Sequence, residues 1–224
     1  MKTINRQGLK RRESRHIKEL GEVVYKHVKV NAKDYLILSI IFIIGVMIGV
    51  VIINNSDENS KTELNGYINS FVNTIKNEGL EIDRVQLTKE TILKNLKLLI
   101  LIWIAGTTII GIPIIYLITI YKGVSIGYTV SAIMLTLGNW KGFLFSISAL
   151  FLQNIIIIPI ILMLNVSSLK LYRVLIKKDR TVSIKHELIR HTALCVVLII
   201  PIILAAIISG FVSSNLILYF AKAY

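Results

Sequence analysis

The sequence lacks the residue clusters that most catalytic and metal-binding sites use. It has one cysteine in 224 residues, so no disulfide can form within the chain, and its four histidines show no metal-ligand spacing. No serine-hydrolase elbow, zinc-protease pair or phosphate-binding loop occurs. These absences predict a protein that is not an enzyme and that uses neither a cofactor nor a metal.

Acidic residues are absent from a long part of the chain. None occurs between Glu90 and Asp179, or after Glu187. Transporters coupled to protons or sodium generally place ionisable groups near the membrane midplane, so this gap argues against such a transporter. The net charge is +13. Because the basic residues lie between apolar runs, this charge predicts a membrane protein and no binding of nucleic acid.

Apolar residues are abundant, at 54% of the chain with a mean hydropathy of +0.68. Runs of this length and composition predict an all-α, polytopic membrane helix bundle with about five transmembrane helices. The predicted spans are 35–53, 98–121, 124–138, 142–166 and 192–220. They form a single membrane domain, 35–224, after a basic cytoplasmic arm, 1–34.

The basic residues are distributed unevenly between the two sides that this plan defines. The inner side carries 18 of them, mostly in residues 1–34 and in a second basic segment, 167–191, whereas the outer side carries 8. By the positive-inside rule the N-terminus is cytoplasmic and the C-terminus extracytoplasmic. Residues 54–97 then form the main segment outside the membrane.

Glycines recur at a spacing of four. The pairs are Gly45 and Gly49, Gly123 and Gly127, and Gly138 and Gly142. Small residues at this spacing let helix backbones approach closely in lipid, which predicts helix-packing faces. The sequence leaves open whether these faces meet inside one bundle or bind another chain, such as a second copy in a homo-oligomer.

The three prolines, Pro113, Pro159 and Pro201, are each followed by two isoleucines. The predicted spans place them at similar distances from the cytoplasmic side, which predicts three kinks at one depth. Gln153 and Asn154 lie near one kink and should face protein, because lipid offers no hydrogen-bond partner. They predict a small inner polar pocket, although the prolines would also suit bends made for packing alone.

Residues 54–97 contain an apolar stripe at helical spacing, formed by Leu64, Ile68, Phe71 and Ile75. The stripe predicts an amphipathic helix that contacts a partner protein. The alternative is that the same stripe lies on the membrane or on the bundle itself.

The order of these features resembles the stage II sporulation protein M family. The local matches run from Tyr121 to Gly127 and from Gln153 to Pro159. The resemblance implies a non-enzymatic scaffold at the sporulation septum in the mother cell. Its partners would be peptidoglycan hydrolases resembling stage II sporulation proteins D and P. The alternative function is a membrane subunit of a transporter with a separate ATPase, for which 167–191 would be the contact segment.

Overall fold

The computed structural model describes residues 21–22, 24–78, 84–108, 110–147, 150, 152–177, 183–213 and 215. The chain divides into two units, Met1–Ile37 and Leu38–Tyr224. In the first unit residues 24–30 are helical, and the remainder of the basic arm up to residue 20 lies outside the described residues. His27 Nδ1 and the Tyr35 hydroxyl are 3.1 Å apart in this unit.

Every regular element in the described residues is helical, and none is a strand. The helices are α1 (Ala32–Asn54), α2 (Glu58–Glu78), α3 (Arg84–Thr107), α4 (Gly111–Leu137), α5 (Asn139–Ser146), α6 (Leu152–Lys177) and α7 (Ile184–Ile208), followed by a π-helical turn, Ser209–Ser213. The prediction of an all-α membrane bundle is confirmed. In the part of the chain that the structure describes, four helices, α1, α4, α6 and α7, are long and apolar enough to cross a membrane, which is one fewer than predicted.

The boundary between α3 and α4 differs from the prediction. The predicted span 98–121 is interrupted, because α3 ends at Thr107 and α4 begins at Gly111. The Thr108 hydroxyl donates to the Ala105 carbonyl oxygen at 3.1 Å, and the Gly111 amide donates to the Thr108 carbonyl oxygen at 3.2 Å. These hydrogen bonds use backbone groups at the turn between α3 and α4. The turn contains no charged residue, so hydropathy does not reveal it.

The predicted turn at Lys122 and Gly123 is wrong. Residues 111–137 form one continuous helix, and the predicted span 124–138 is its second half. Gly123 is buried in the middle of this helix, where it contacts the backbone of α1. Lys122 therefore lies inside a membrane-spanning helix instead of at its end.

The basic segment 167–191 is helical in both of its described parts, 167–177 and 184–191, and these parts continue α6 and begin α7. The Ser168 hydroxyl donates to the Leu164 carbonyl oxygen at 3.0 Å, and α6 continues to Lys177. The predicted span 142–166 therefore begins and ends too early, and α7 begins before the predicted residue 192. The polar residues after Leu164 remain helical because the neighbouring helices supply their hydrogen-bond partners.

Helices α3 and α7 run antiparallel along their full lengths. A Cβ atom on Gly210 would overlap the Thr88 hydroxyl at one end, and a Cβ on Gly106 would lie 2.9 Å from His191 Nε2 at the other. These contacts define the two ends of the bundle, called here the Ser209 end and the His191 end. α3 thus lies beside a membrane-spanning helix, although its own charge excludes it from the four apolar spans.

Helix α6 is antiparallel to α7. The Ser209 hydroxyl donates to Gln153 Oε1 at 2.9 Å, and His191 Nδ1 is 3.0 Å from the Ser167 hydroxyl at the opposite end. The core lies between α3, α4, α6 and α7 and consists mainly of isoleucine and leucine. α3 is central to it, because its buried residues form one stripe along the helix: Thr91, Asn95, Leu99, Ile102, Ala105 and Gly106.

Candidate functional site

Two of the glycine pairs meet each other. Gly45 and Gly49 on α1 face Gly123 and Gly127 on α4, in register and with the helices parallel. A Cβ atom on Gly45 would lie only 2.5 Å from the Ile120 carbonyl oxygen. A Cβ atom on any of the other three glycines would also overlap a carbonyl oxygen of the facing helix. The overlaps are Gly49 with Val124, Gly123 with Phe42, and Gly127 with Val46. The four glycines therefore form a close backbone crossing within one chain.

The third pair does not form such a face. Gly138 has a φ of +85° and nothing near its absent Cβ, and it separates α4 from α5. Gly142 packs on the end of α4, where a Cβ would lie 2.5 Å from the Met134 Cα. The predicted packing pair is thus a left-handed turn residue followed by a close contact with the preceding helix.

The prolines do not share one role. Pro113 lies in the first turn of α4, where its missing N–H removes no helical hydrogen bond, so the predicted mid-helix kink is wrong there. Pro159 and Pro201 lie inside α6 and α7. Gln153 on α6 pairs with Ser209 at the end of α7, and each proline lies about two turns along its own helix from this pair. Pro159 and Pro201 are therefore level with each other. These two prolines share a depth, but it lies far from the ends of α6 and α7 at the His191 end, so the predicted position of all three prolines near the cytoplasmic side is wrong.

Gln153 and Asn154 face protein, but their hydrogen bonds differ. The Gln153 side chain accepts the Ser209 hydroxyl and links α6 to the end of α7. The Asn154 amide donates to the Leu150 carbonyl oxygen at 2.9 Å, while its own side-chain oxygen is buried without a partner among the described residues. Both residues line a cavity of about 280 Å³.

That cavity belongs to a polar cleft between α3 and α4. The 280 Å³ cavity adjoins a second cavity of about 480 Å³. The residues common to both define the polar cleft: Glu90, Lys94, Asn95, Lys122 and Ser125. The sequence alone missed this site, because the turn predicted at Lys122 places this lysine at the end of a span. The glycine and proline at 111 and 113 are the signal that would have placed the helix start correctly.

The charge of the polar cleft is unbalanced. The Glu90 carboxylate accepts a hydrogen bond from Gln86 at 3.1 Å. Within the described part of the chain, Lys94 and Lys122 form no hydrogen bond and no ion pair. Ionisable groups at this depth in a membrane protein are costly and usually belong to a functional site. The cleft is therefore the strongest candidate for ligand binding in the bundle.

A second polar cluster lies near the His191 end and is closed. His191 is 1% exposed and contacts Ser167, while the Asn165 amide donates to the Thr119 hydroxyl at 3.0 Å. Glu187 lies beside it, 2.8 Å from the Arg190 guanidinium and 3.8 Å from the Lys170 ammonium. These bonds link α4, α6 and α7. No group of residues that could hold a metal ion occurs in the residues the structure describes.

Helix α2 divides the predicted stripe between two faces. Leu64 and Ile68 are half-buried, and the Asn65 side chain accepts the Thr136 hydroxyl at 2.7 Å, so this face packs on α4 at the Ser209 end. Phe71 is 52% exposed, and the neighbouring Tyr67 is 69% exposed. The Ile75 side chain lies outside the described residues. Phe71 is thus the exposed member of the predicted stripe. With Tyr67, which the prediction did not include, it forms the exposed aromatic pair of α2.

The fold and the site define a polytopic helical membrane protein with a charged cleft inside its bundle. Residues 38–214 match the family model for SpoIIM, stage II sporulation protein M. The chain belongs to this family, as the resemblance predicts, and is a sporulation-related membrane protein. No curated protein and no solved structure matches the chain.

Proposed function

We propose that this protein is a non-enzymatic scaffold that recruits peptidoglycan hydrolases at the sporulation septum during engulfment. The partners are a lytic transglycosylase and an amidase or endopeptidase, resembling stage II sporulation proteins D and P. Membership of the family supports the setting. The exposed aromatic pair on α2 is the observation that carries the scaffold role, because it is a free apolar surface on a helix already anchored to the bundle.

The orientation follows from charge. The N-terminal arm carries ten basic residues, and the segment 167–191 carries seven, of which Lys170 and Arg190 lie beside Glu187 near the His191 end. Anionic lipid and the insertion machinery hold such segments in the cytoplasm. The Ser209 end, with α2, is then extracytoplasmic, where wall hydrolases act. The glycine crossing is completed within one chain, so this proposal requires no second copy of the protein.

The test is recovery of the two hydrolases with the tagged full-length protein from sporulating cells. Replacing Tyr67 and Phe71 together with serine is expected to abolish their recovery while the membrane protein remains abundant. Asn69→Ala and Asn73→Ala, on the opposite exposed flank of α2, are the matched controls and should retain both hydrolases. Unchanged recovery with the aromatic pair removed would exclude this face as the binding surface.

A further inference from the structure

The polar cleft continues into an apolar groove. The groove has a volume of about 390 Å³ and lies between α4, α5 and α6. Its walls include Ile126, Val130, Phe143, Ile147, Ile155 and Ile158. Ile126, Leu150 and Asn154 line both the groove and the polar cavity, so the charged and apolar spaces are joined.

The cleft also opens on the side of the bundle. Leu93, Leu101 and Tyr121 line its outer part and are 57%, 47% and 66% exposed. In a membrane such side chains contact lipid, so a lipid can reach the lysines laterally. The opening therefore favours an amphipathic ligand over one that is wholly water-soluble.

The charge of the cleft favours an anion. Lys94 and Lys122 line it with one carboxylate, Glu90, and Lys97 lines the adjoining larger cavity, which leaves an excess of positive charge. Two ammonium groups on opposing helices repel each other strongly where the effective dielectric constant is low. A negatively charged group between them removes that repulsion and supplies the missing hydrogen-bond acceptor. Basic pockets between transmembrane helices bind phosphate headgroups for this reason.

We propose that the cleft binds a lipid with an anionic phosphate headgroup. The phosphate lies between Lys94 and Lys122, and the hydrocarbon tail occupies the apolar groove beyond Asn154. Asn154 lines both spaces and marks the junction between the headgroup and the tail. This site is separate from the aromatic pair on α2 and does not depend on hydrolase binding.

The test is native mass spectrometry of the purified full-length protein with three probes. These are phosphatidylglycerol, phosphatidylcholine with the same tails, and inorganic phosphate. The wild-type protein should retain phosphatidylglycerol selectively, and excess inorganic phosphate should not displace it. Lys94→Gln and Lys122→Gln should each weaken retention about tenfold, as expected when a charge-assisted hydrogen bond is lost.

Two further variants separate the headgroup from the tail. Lys89 is an exposed lysine on α3 that lines neither cavity of the cleft. The Lys89→Gln variant should therefore retain phosphatidylglycerol fully. Ile155→Trp fills the groove from its exposed side and should weaken retention with both lysines intact. Equal retention of the two lipids, or no effect of the Lys94 and Lys122 changes, would overturn the proposal. Displacement by inorganic phosphate would show a site for the free anion and would overturn the lipid assignment.

Discussion

Replacing Gly45 with alanine tests the glycine crossing with the smallest available change. The new Cβ would lie 2.5 Å from the Ile120 carbonyl oxygen and 3.2 Å from the Gly123 Cα. α1 and α4 must separate by about 1 Å to restore contact, and a gap of that size loses a quarter to a half of each nearby dispersion contact. Overpacking of this kind costs about 1–3 kcal/mol, of which the better helix propensity of alanine offsets about 1 kcal/mol.

The net loss of up to about 2 kcal/mol is expected to lower the midpoint of thermal unfolding in detergent by up to about 8 °C for a chain of this size. Fluorescence-detected size-exclusion chromatography after heating measures this shift. Gly66→Ala on α2 is the matched control, because nothing lies within 4 Å of its added Cβ and the change should be neutral or stabilising. Equal midpoints for the Gly45 and Gly66 variants would refute the reasoning. Leucine at Gly45 or Gly127 should be more damaging than Leu135→Ala on α4.

The remaining predictions concern orientation and pH. In a Cys195→Ser background, Ser56→Cys should react with impermeant reagents in intact cells, whereas Lys185→Cys should react only after lysis. The opposite labelling would reverse the assigned orientation. Hydrogen bonds from the Ser60 hydroxyl and amide lower the pKa of Asp57 from 3.8. The Asp57 carboxylate therefore stabilises the start of α2 fully near neutral pH. This stabilisation is lost as the pH falls through the lowered pKa. Hydrogen exchange in the first turn of α2, corrected for intrinsic rates, should become faster at acid pH in the wild-type protein but not in Asp57→Asn, whose neutral amide caps equally well. Equal acid sensitivity of the two proteins would contradict this cause.

The sequence predicts the helical membrane class well, because long uncharged runs have few other stable structures. The first predicted span and α1 almost coincide, since a polar segment follows Ile53 directly. A single local signal suffices to place that boundary.

The errors arise where tertiary contacts replace a local signal. Lys122 resembles a turn residue in the sequence, yet it is helical because Gly123 must pack against α1. Ser167 and His191 resemble loop residues, yet they satisfy each other inside the bundle. The polar cleft depends on α3 and α4 lying side by side, and no local pattern encodes that arrangement.

The charged half of α3 has a consequence for how the protein enters the membrane. A lysine at the centre of a transmembrane helix opposes insertion by about 2.5–3.5 kcal/mol, and α3 carries Lys94 and Lys97 near its middle. α3 therefore inserts poorly alone, and α4 brings a further lysine, Lys122. The apolar faces of α6 and α7 cover the buried stripe of α3 only after those later helices have been synthesised. Completion of the bundle during biogenesis thus depends on the C-terminal helices, and a chain that stops before α6 should leave α3 outside the bilayer.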